Sequence, residues 1–254
     1  MGLLDGKRGL VVGIANEHSI ASGCARAFHR EGAELAVTYL NERARPFVQP
    51  VAEALDAEIF MPLDVTADAD MDALFEAIAS SWGQLDFVLH SVAYCPKEDL
   101  HGNVVDCSRE GFGAAMDISV HSFMRLARRA RPLMKAGGCL LTVSYYGAEK
   151  VVDQYNVMGP VKAALEASVK YMAAELGPEG IRVNALSPGP LMTRAASGIA
   201  HFDALIDEAR ARAPQQRLVT TEDVGNMAAG LVSDAARNVT GNISYVDAGY
   251  HVMS

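Results

Sequence analysis

The chain has 254 residues, half of them hydrophobic, and a net charge of −9. That length suits one α/β domain with a large core. The acid excess speaks against a nucleic-acid partner, and no apolar run reaches the length of a membrane span. Gly9–Ile14, Glu34–Tyr39 and Glu58–Met61 are short and rich in β-formers, and helical patterns near Ile20–Arg30 and Arg43–Leu55 separate them. The alternation continues with a helix over Ala69–Trp82, a strand over Leu85–His90, a helix over Gly111–Met134 and a strand over Cys139–Ser144. Helix Tyr155–Leu176, strand Ile181–Leu186, helix Thr221–Ser233 and strand Ile243–Val246 complete it. Strict alternation predicts parallel strands joined by right-handed crossovers. Fully apolar strands such as Leu10-Val11-Val12 predict a sheet covered on both faces.

The expected fold class is therefore α/β: a Rossmann-like, doubly wound parallel sheet of about seven strands. A single domain over residues 1–254 is expected, with no linker or repeat. One stretch departs from the rhythm. After Ile181–Leu186 come Ser187-Pro188-Gly189-Pro190 and a small-residue run to about Pro214. It leaves the carboxyl end of a strand, where open α/β sheets bind ligands. Residues 189–214 read as a substrate lid, or as a plain surface loop.

Cys24, Cys95, Cys107 and Cys139 form no CxxC pair, and the seven histidines form no HExxH pattern. Reduced thiols and no metal site are expected. Met1-Gly2-Leu3-Leu4-Asp5-Gly6-Lys7 lacks the basic and apolar regions of a secretory leader. Gly6 stands where a myristoylation signal carries Ser or Thr. A cytoplasmic location is expected.

The first strand runs into Gly13-Ile14-Ala15-Asn16-Glu17-His18-Ser19-Ile20-Ala21. A dinucleotide fold needs a tight turn here and a helix N-terminus aimed at the pyrophosphate. Gly13 can make the turn, and Ser19 can cap the helix and donate to a phosphate oxygen. The usual GxGxxG is absent. Asp64, with Val65 after the third strand, can accept from an adenine amino group or serve as a helix N-terminal aspartate. The fourth strand ends in His90-Ser91-Val92-Ala93-Tyr94, small and polar where the sheet would meet a cofactor. After Tyr39-Leu40-Asn41 comes no immediate Arg or Lys, and Arg43 and Arg45 fall on the next helix. NADH is thereby favoured over NADPH.

Tyr155 and Lys162 lie seven residues apart. On a helix, i and i+7 fall on nearly the same face. A cation favours a phenolate, and a phenol can donate to a carbonyl that becomes an enolate. The alternative is an amphipathic helix with both side chains in water. Pro160 lies between them and would cost about 3 kcal/mol in a helix interior but little in a first turn. The helix is therefore predicted to begin around Asn156–Met158, with Tyr155 near its entry.

Together these residues resemble the divergent short-chain dehydrogenase/reductases, and more closely the bacterial NADH-dependent enoyl-acyl-carrier-protein reductases. The carriers are Gly13 to Ala21, Asp64-Val65, His90-Ser91, Ser144-Tyr145-Tyr146-Gly147-Ala148-Glu149, and Tyr155-Asn156-Val157-Met158-Gly159 with Lys162. Gly177-Pro178-Glu179-Gly180, Arg182-Val183-Asn184-Ala185 and Ala195-Ala196-Ser197-Gly198-Ile199 add to them. The Tyr-x6-Lys spacing with a second tyrosine ten residues upstream is the specific part.

The resemblance implies an oxidoreductase that reduces the trans-2 double bond of an enoyl thioester with NADH in fatty acid elongation. It implies that Tyr155 donates to the thioester carbonyl, that Tyr145 is a second active-site tyrosine, and that Lys162 holds the nicotinamide ribose. Gly13, Ser19, Ile20, Leu40, Asp64, Val65, Ser91, Val92, Leu191, Thr193 and Ala195 match cofactor positions. Tyr94, Cys95, Met158, Ile199 and Phe202 match substrate positions. A homotetramer is usual in the family, and acyl-carrier protein is the implied partner. Two departures stand beside Pro160. Leu40 replaces a more usual polar residue. Ala200-His201-Phe202-Asp203-Ala204-Leu205-Ile206-Asp207-Glu208 is acidic where the family presents basic residues, and like charge repels an acidic carrier. Either the carrier docks elsewhere, for example on Arg194, Arg210 and Arg212, or the acyl group rides on another thiol such as coenzyme A. A ketoreductase using Ser144 and a non-catalytic dinucleotide sensor are the competing readings.

Overall fold

The computed structural model describes residues 2–191 and 202–253, the latter with side chains from 206 onward. The strands are β1 (Arg8–Val12), β2 (Glu34–Tyr39), β3 (Ile59–Pro62), β4 (Phe87–His90), β5 (Gly138–Val143), β6 (Ile181–Pro188) and β7 (Ile243–Val246). All pair in parallel, in the order β3-β2-β1-β4-β5-β6-β7. The order reverses between β1 and β4, so a crevice opens beyond their carboxyl ends.

Alternate side chains of each strand enter separate cores. Val11, Leu35, Val37, Phe87, Leu89 and Leu141 pack with α1 (Ile20–Arg30), α2 (Arg45–Ala54) and α9 (Thr221–Val232). Leu10, Val12, Ala36, Val88 and Leu140 pack with α3 (Asp68–Ser81), α6 (Ser122–Ala130) and α7 (Met158–Leu176). This two-sided burial is what the continuous apolar strands predict. Two cores of this kind fix the strand ends in space, and the site is built on those ends.

The predicted helix Gly111–Met134 is not one element. It divides into α5 (Arg109–Met116), a π-helical turn Asp117–His121, α6 and a 3₁₀ turn Arg131–Leu133 containing Pro132. The extra residue of a π-turn re-aims the side chains around it. Here Ser119 Oγ accepts from the Tyr94 amide at 3.0 Å, and Ser122 Oγ meets His90 Nε2 at 2.8 Å. The insertion thus ties the helix to the segment after β4. Short α4 (Lys97–His101) was not expected, since five residues carry too little periodicity. Beyond β6, α8 (Phe202–Arg212) is described, while 192–201 lie outside the described residues. No helix among the described residues is long and apolar enough to cross a membrane.

Candidate active site

Helix α7 begins at Met158, which places Pro160 in its first turn. A proline there removes an N–H that has no intrahelical acceptor, so it breaks nothing. Tyr155 precedes the helix, in a turn where Gln154 and Asn156 have φ of +64° and +46°. The Asn156 side-chain amide donates to the Leu100 carbonyl at 2.8 Å and anchors this turn against α4. The late helix start is as predicted. It also means that Tyr155 and Lys162 do not sit two turns apart on one helix. A strained turn aims Tyr155, and the helix aims Lys162.

The end of β5 assembles the rest. Tyr145 follows it and packs edge-on against Tyr155, with ring centroids 4.8 Å apart and planes at 63°. Gly147 makes this possible. A Cβ there would stand 2.5 Å from Tyr155 Cδ1 and 3.3 Å from Tyr145 Cδ1. Lys162 is 5% exposed, and its Nζ donates to the Val143 carbonyl at 2.7 Å. Glu166, one turn later, is also 5% exposed and accepts from Ser144 Oγ at 2.5 Å. It lies within electrostatic reach of both Tyr155 and Lys162.

Burial decides the protonation states. It drives the Tyr155 phenol far up from 10, and Tyr145 and Glu166 push it further the same way. The phenol is therefore protonated at neutral pH. Burial keeps Tyr155 a neutral hydrogen-bond donor, the state its expected role needs. Burial likewise raises Tyr145, whose buried hydroxyl has no partner among the described residues. Lys162 is lowered to about 8 by burial, which the Glu166 charge partly offsets. His90 is held neutral, at about 3, by burial and by Lys162.

The nucleotide end stands at the sheet's reversal. Gly13 has φ +107°, and a Cβ there would stand 2.1 Å from the Ser91 carbonyl oxygen. The turns after β1 and β4 therefore touch through backbone. Val92 follows Ser91 and is half-buried. Ser19 caps α1 and accepts from the Ser22 amide at 3.3 Å. Its hydroxyl donates to the Asn16 carbonyl at 2.8 Å. Ile20 opens α1. Asp64 Oδ1 accepts from the Thr66 amide and hydroxyl at 2.9 and 2.7 Å. It organises its own loop and does not cap α3, whose N-cap is Ala67. Val65 is buried, and its carbonyl accepts from Arg125 at 2.6 Å.

Leu40 is 55% exposed. Arg43 precedes α2 and is not on it. Arg45 is drawn to Glu42 at 3.4 Å and lies over the Tyr39 ring. Tyr94 is half exposed, Met158 is buried, and burial lifts the Cys95 thiol to about 11. Leu191 is buried. Thr193, Ala195, Ile199 and Arg194 lie outside the described residues, and Phe202 opens α8. No group of three His, Cys, Asp or Glu among the described residues is placed to hold a metal.

A family model described as enoyl-(acyl carrier protein) reductase matches residues 13–251. The chain belongs to the enoyl-acyl-carrier-protein reductase family. The NADH-dependent enoyl-acyl-carrier-protein reductase of Aquifex aeolicus is 48% identical over all of this chain and 94% of its own length. The crystal structure of the Anaplasma phagocytophilum reductase in complex with NAD superposes with a TM-score of 0.96. It is 48% identical and covers all of this chain, which spans 97% of it. The Bacillus cereus reductase, solved with NADP+ and an indole naphthyridinone, gives a TM-score of 0.97 at 46% identity, with both chains fully covered.

Arg210 and Arg212, candidate docking cations, lie on α8. Arg210 pairs with Asp207 at 3.6 Å and Arg212 with Glu208 at 2.6 Å, at i,i+3 and i,i+4 spacing, and Arg212 also lies over the Tyr250 ring. Sequence reasoning missed Ser119, Ser122 and Glu166. A carboxylate four residues after Lys162 was the signal available for the last.

Proposed function

We propose that the reductase lowers the barrier to reducing a trans-2-enoyl thioester through Tyr155, with Tyr145 and Lys162 setting its surroundings. Bound NADH supplies the hydride for the β-carbon. Tyr155, neutral and buried, donates to the thioester carbonyl oxygen, where negative charge develops as the enolate forms. A preorganised donor in a dry site stabilises that charge more than water does. Tyr145 packs edge-on against Tyr155 and fixes its ring. Its own hydroxyl, unpartnered among the described residues, is available to a ligand.

The residues present fit the dinucleotide. Lys162 uses one N–H on Val143 and keeps two for a ribose diol. Gly13 leaves no side chain between the β1 turn and the β4 turn, so a pyrophosphate can approach backbone. Val65, Val92 and Ile20 supply apolar contact, with Leu40 and Asp64 near the adenosine. Leu191, Thr193 and Ala195 would close over the other side. Tyr94, Cys95, Met158, Ile199 and Phe202 would line the acyl path.

Ser144 carries the choice between this reading and a ketoreductase. Its hydroxyl is committed to Glu166 at 2.5 Å, so it does not stand beside Tyr155 as a second carbonyl donor. Acyl-carrier protein is the proposed carrier. A cytoplasmic location and one domain over 1–254 rest on the reading of the sequence, and a homotetramer on the family resemblance. The carrier is tested by kcat/KM for one enoyl chain on acyl-carrier protein and on coenzyme A at low salt. A preference for the protein carrier is the expected result, and a preference for coenzyme A would reassign the substrate. Arg210→Ala is expected to leave that preference unchanged, because its charge is spent on Asp207.

A further inference from the structure

We propose that Glu166, acting with Ser144, is a positioning residue that holds both the charge and the aim of the Lys162 ammonium. The inference rests on Lys162 being the group that holds NADH.

The geometry is a two-point clamp. Val143 and Ser144 are consecutive residues at the end of β5. Lys162 and Glu166 are one turn apart on α7, so their side chains leave the same face. The Val143 carbonyl accepts from Lys162 Nζ at 2.7 Å. Ser144 Oγ donates to Glu166 Oε1 at 2.5 Å, while the Ser144 amide donates to the Leu186 carbonyl at 2.7 Å. Each helix residue therefore holds its own rung of the strand. The next residue in the chain is Tyr145. A shift of Glu166 would move Lys162 through the helix and Tyr145 through the strand.

The charge is the more informative part. A buried carboxylate is costly and is kept only where something compensates it. Burial raises the Glu166 carboxyl above its ordinary value and Glu149 adds to that, while the Ser144 hydroxyl, Lys170 and Lys162 favour its charge. Tyr155 and Tyr245 also feel that charge. Lys162 is faced by Glu166 and, from β4, by neutral His90. Among the described residues, Glu166 is the charged group that keeps the buried ammonium protonated against its desolvation, beside the hydrogen bond to the Val143 carbonyl. A clamp built for packing alone would work as well with an uncharged amide.

The sign of the effect follows. Lys162 is charged below about 8 and loses its proton above it. Removing the Glu166 charge withdraws the stabilisation of the ammonium, so the proton leaves at lower pH. The test measures the NADH dissociation constant by nucleotide fluorescence across neutral and alkaline pH, with kcat/KM for NADH beside it. Both report the free enzyme. Glu166→Gln keeps the volume and an acceptor for Ser144, and should shift the alkaline limb down by about one pH unit. Ser144→Ala removes the hydroxyl that favours the carboxylate, and should shift the limb the same way by less. A Glu166→Gln limb that coincides with wild type overturns the proposal and leaves only a packing role. If Glu166→Gln does not fold, an unmoved limb in Ser144→Ala overturns it, and a downward shift supports it. Wild-type protein that binds no NADH removes the proposed function and this inference together. Wild-type binding with unmoved variants removes the inference alone.

Discussion

Tyr155→Phe is expected to lose about 10²–10³-fold in kcat, the usual effect of deleting one donor to a developing oxyanion, while binding NADH as wild type does. The hydroxyl makes no hydrogen bond to the protein among the described residues, so its loss leaves no orphaned partner. Phenylalanine keeps the ring that packs on Tyr145, with the same 4.8 Å stacking available to it. Stability should therefore change by no more than about 0.5 kcal/mol. The loss should fall on kcat and kcat/KM alike, as for an interaction made in the transition state. Stopped-flow turnover and NADH titration of one preparation check both halves. Full turnover would remove Tyr155 from the mechanism.

Gly13→Ala is expected to damage stability and NADH affinity together. A non-glycine residue held at this φ costs about 1–3 kcal/mol of backbone strain. The new methyl would stand 2.1 Å from the Ser91 carbonyl oxygen, a backbone atom that no rotamer change can move aside. Relieving that overlap costs about another 1–3 kcal/mol. The relief separates the β1 and β4 turns where the sheet order reverses, which is where the nucleotide is proposed to lie. A lower urea midpoint with an unchanged slope, and weakened NADH binding in the fraction that folds, are the expected observations. Wild-type stability with wild-type affinity would show that the close approach has no functional part.

The strands were legible because their apolar runs are continuous and their helices periodic. Pro160 was equally informative, since a proline states where a helix can begin. The π-turn at Asp117–His121 left no local mark. Contacts from Tyr94 and His90 to Ser119 and Ser122 hold it, and those partners are distant in sequence. Glu166 was hidden for a related reason. A glutamate on a helix reads as a solvated charge, and only the end of β5 buries it. The protonation of Tyr155 is set by burial, and spacing reveals a neighbouring cation but not the dryness of the site. The motif residues from Ser144 to Lys162 were legible as a set, whereas Gly147 gains its reason only from the two tyrosine rings that meet over it.

The central claim is that this site reduces a carbon–carbon double bond and leaves a ketone alone. The direct measurement is loss of NADH absorbance with a crotonyl thioester and with an acetoacetyl thioester on the same carrier. Rapid oxidation of NADH is expected with the crotonyl substrate and none above background with the acetoacetyl one. Oxidation with acetoacetyl and not with crotonyl would contradict it.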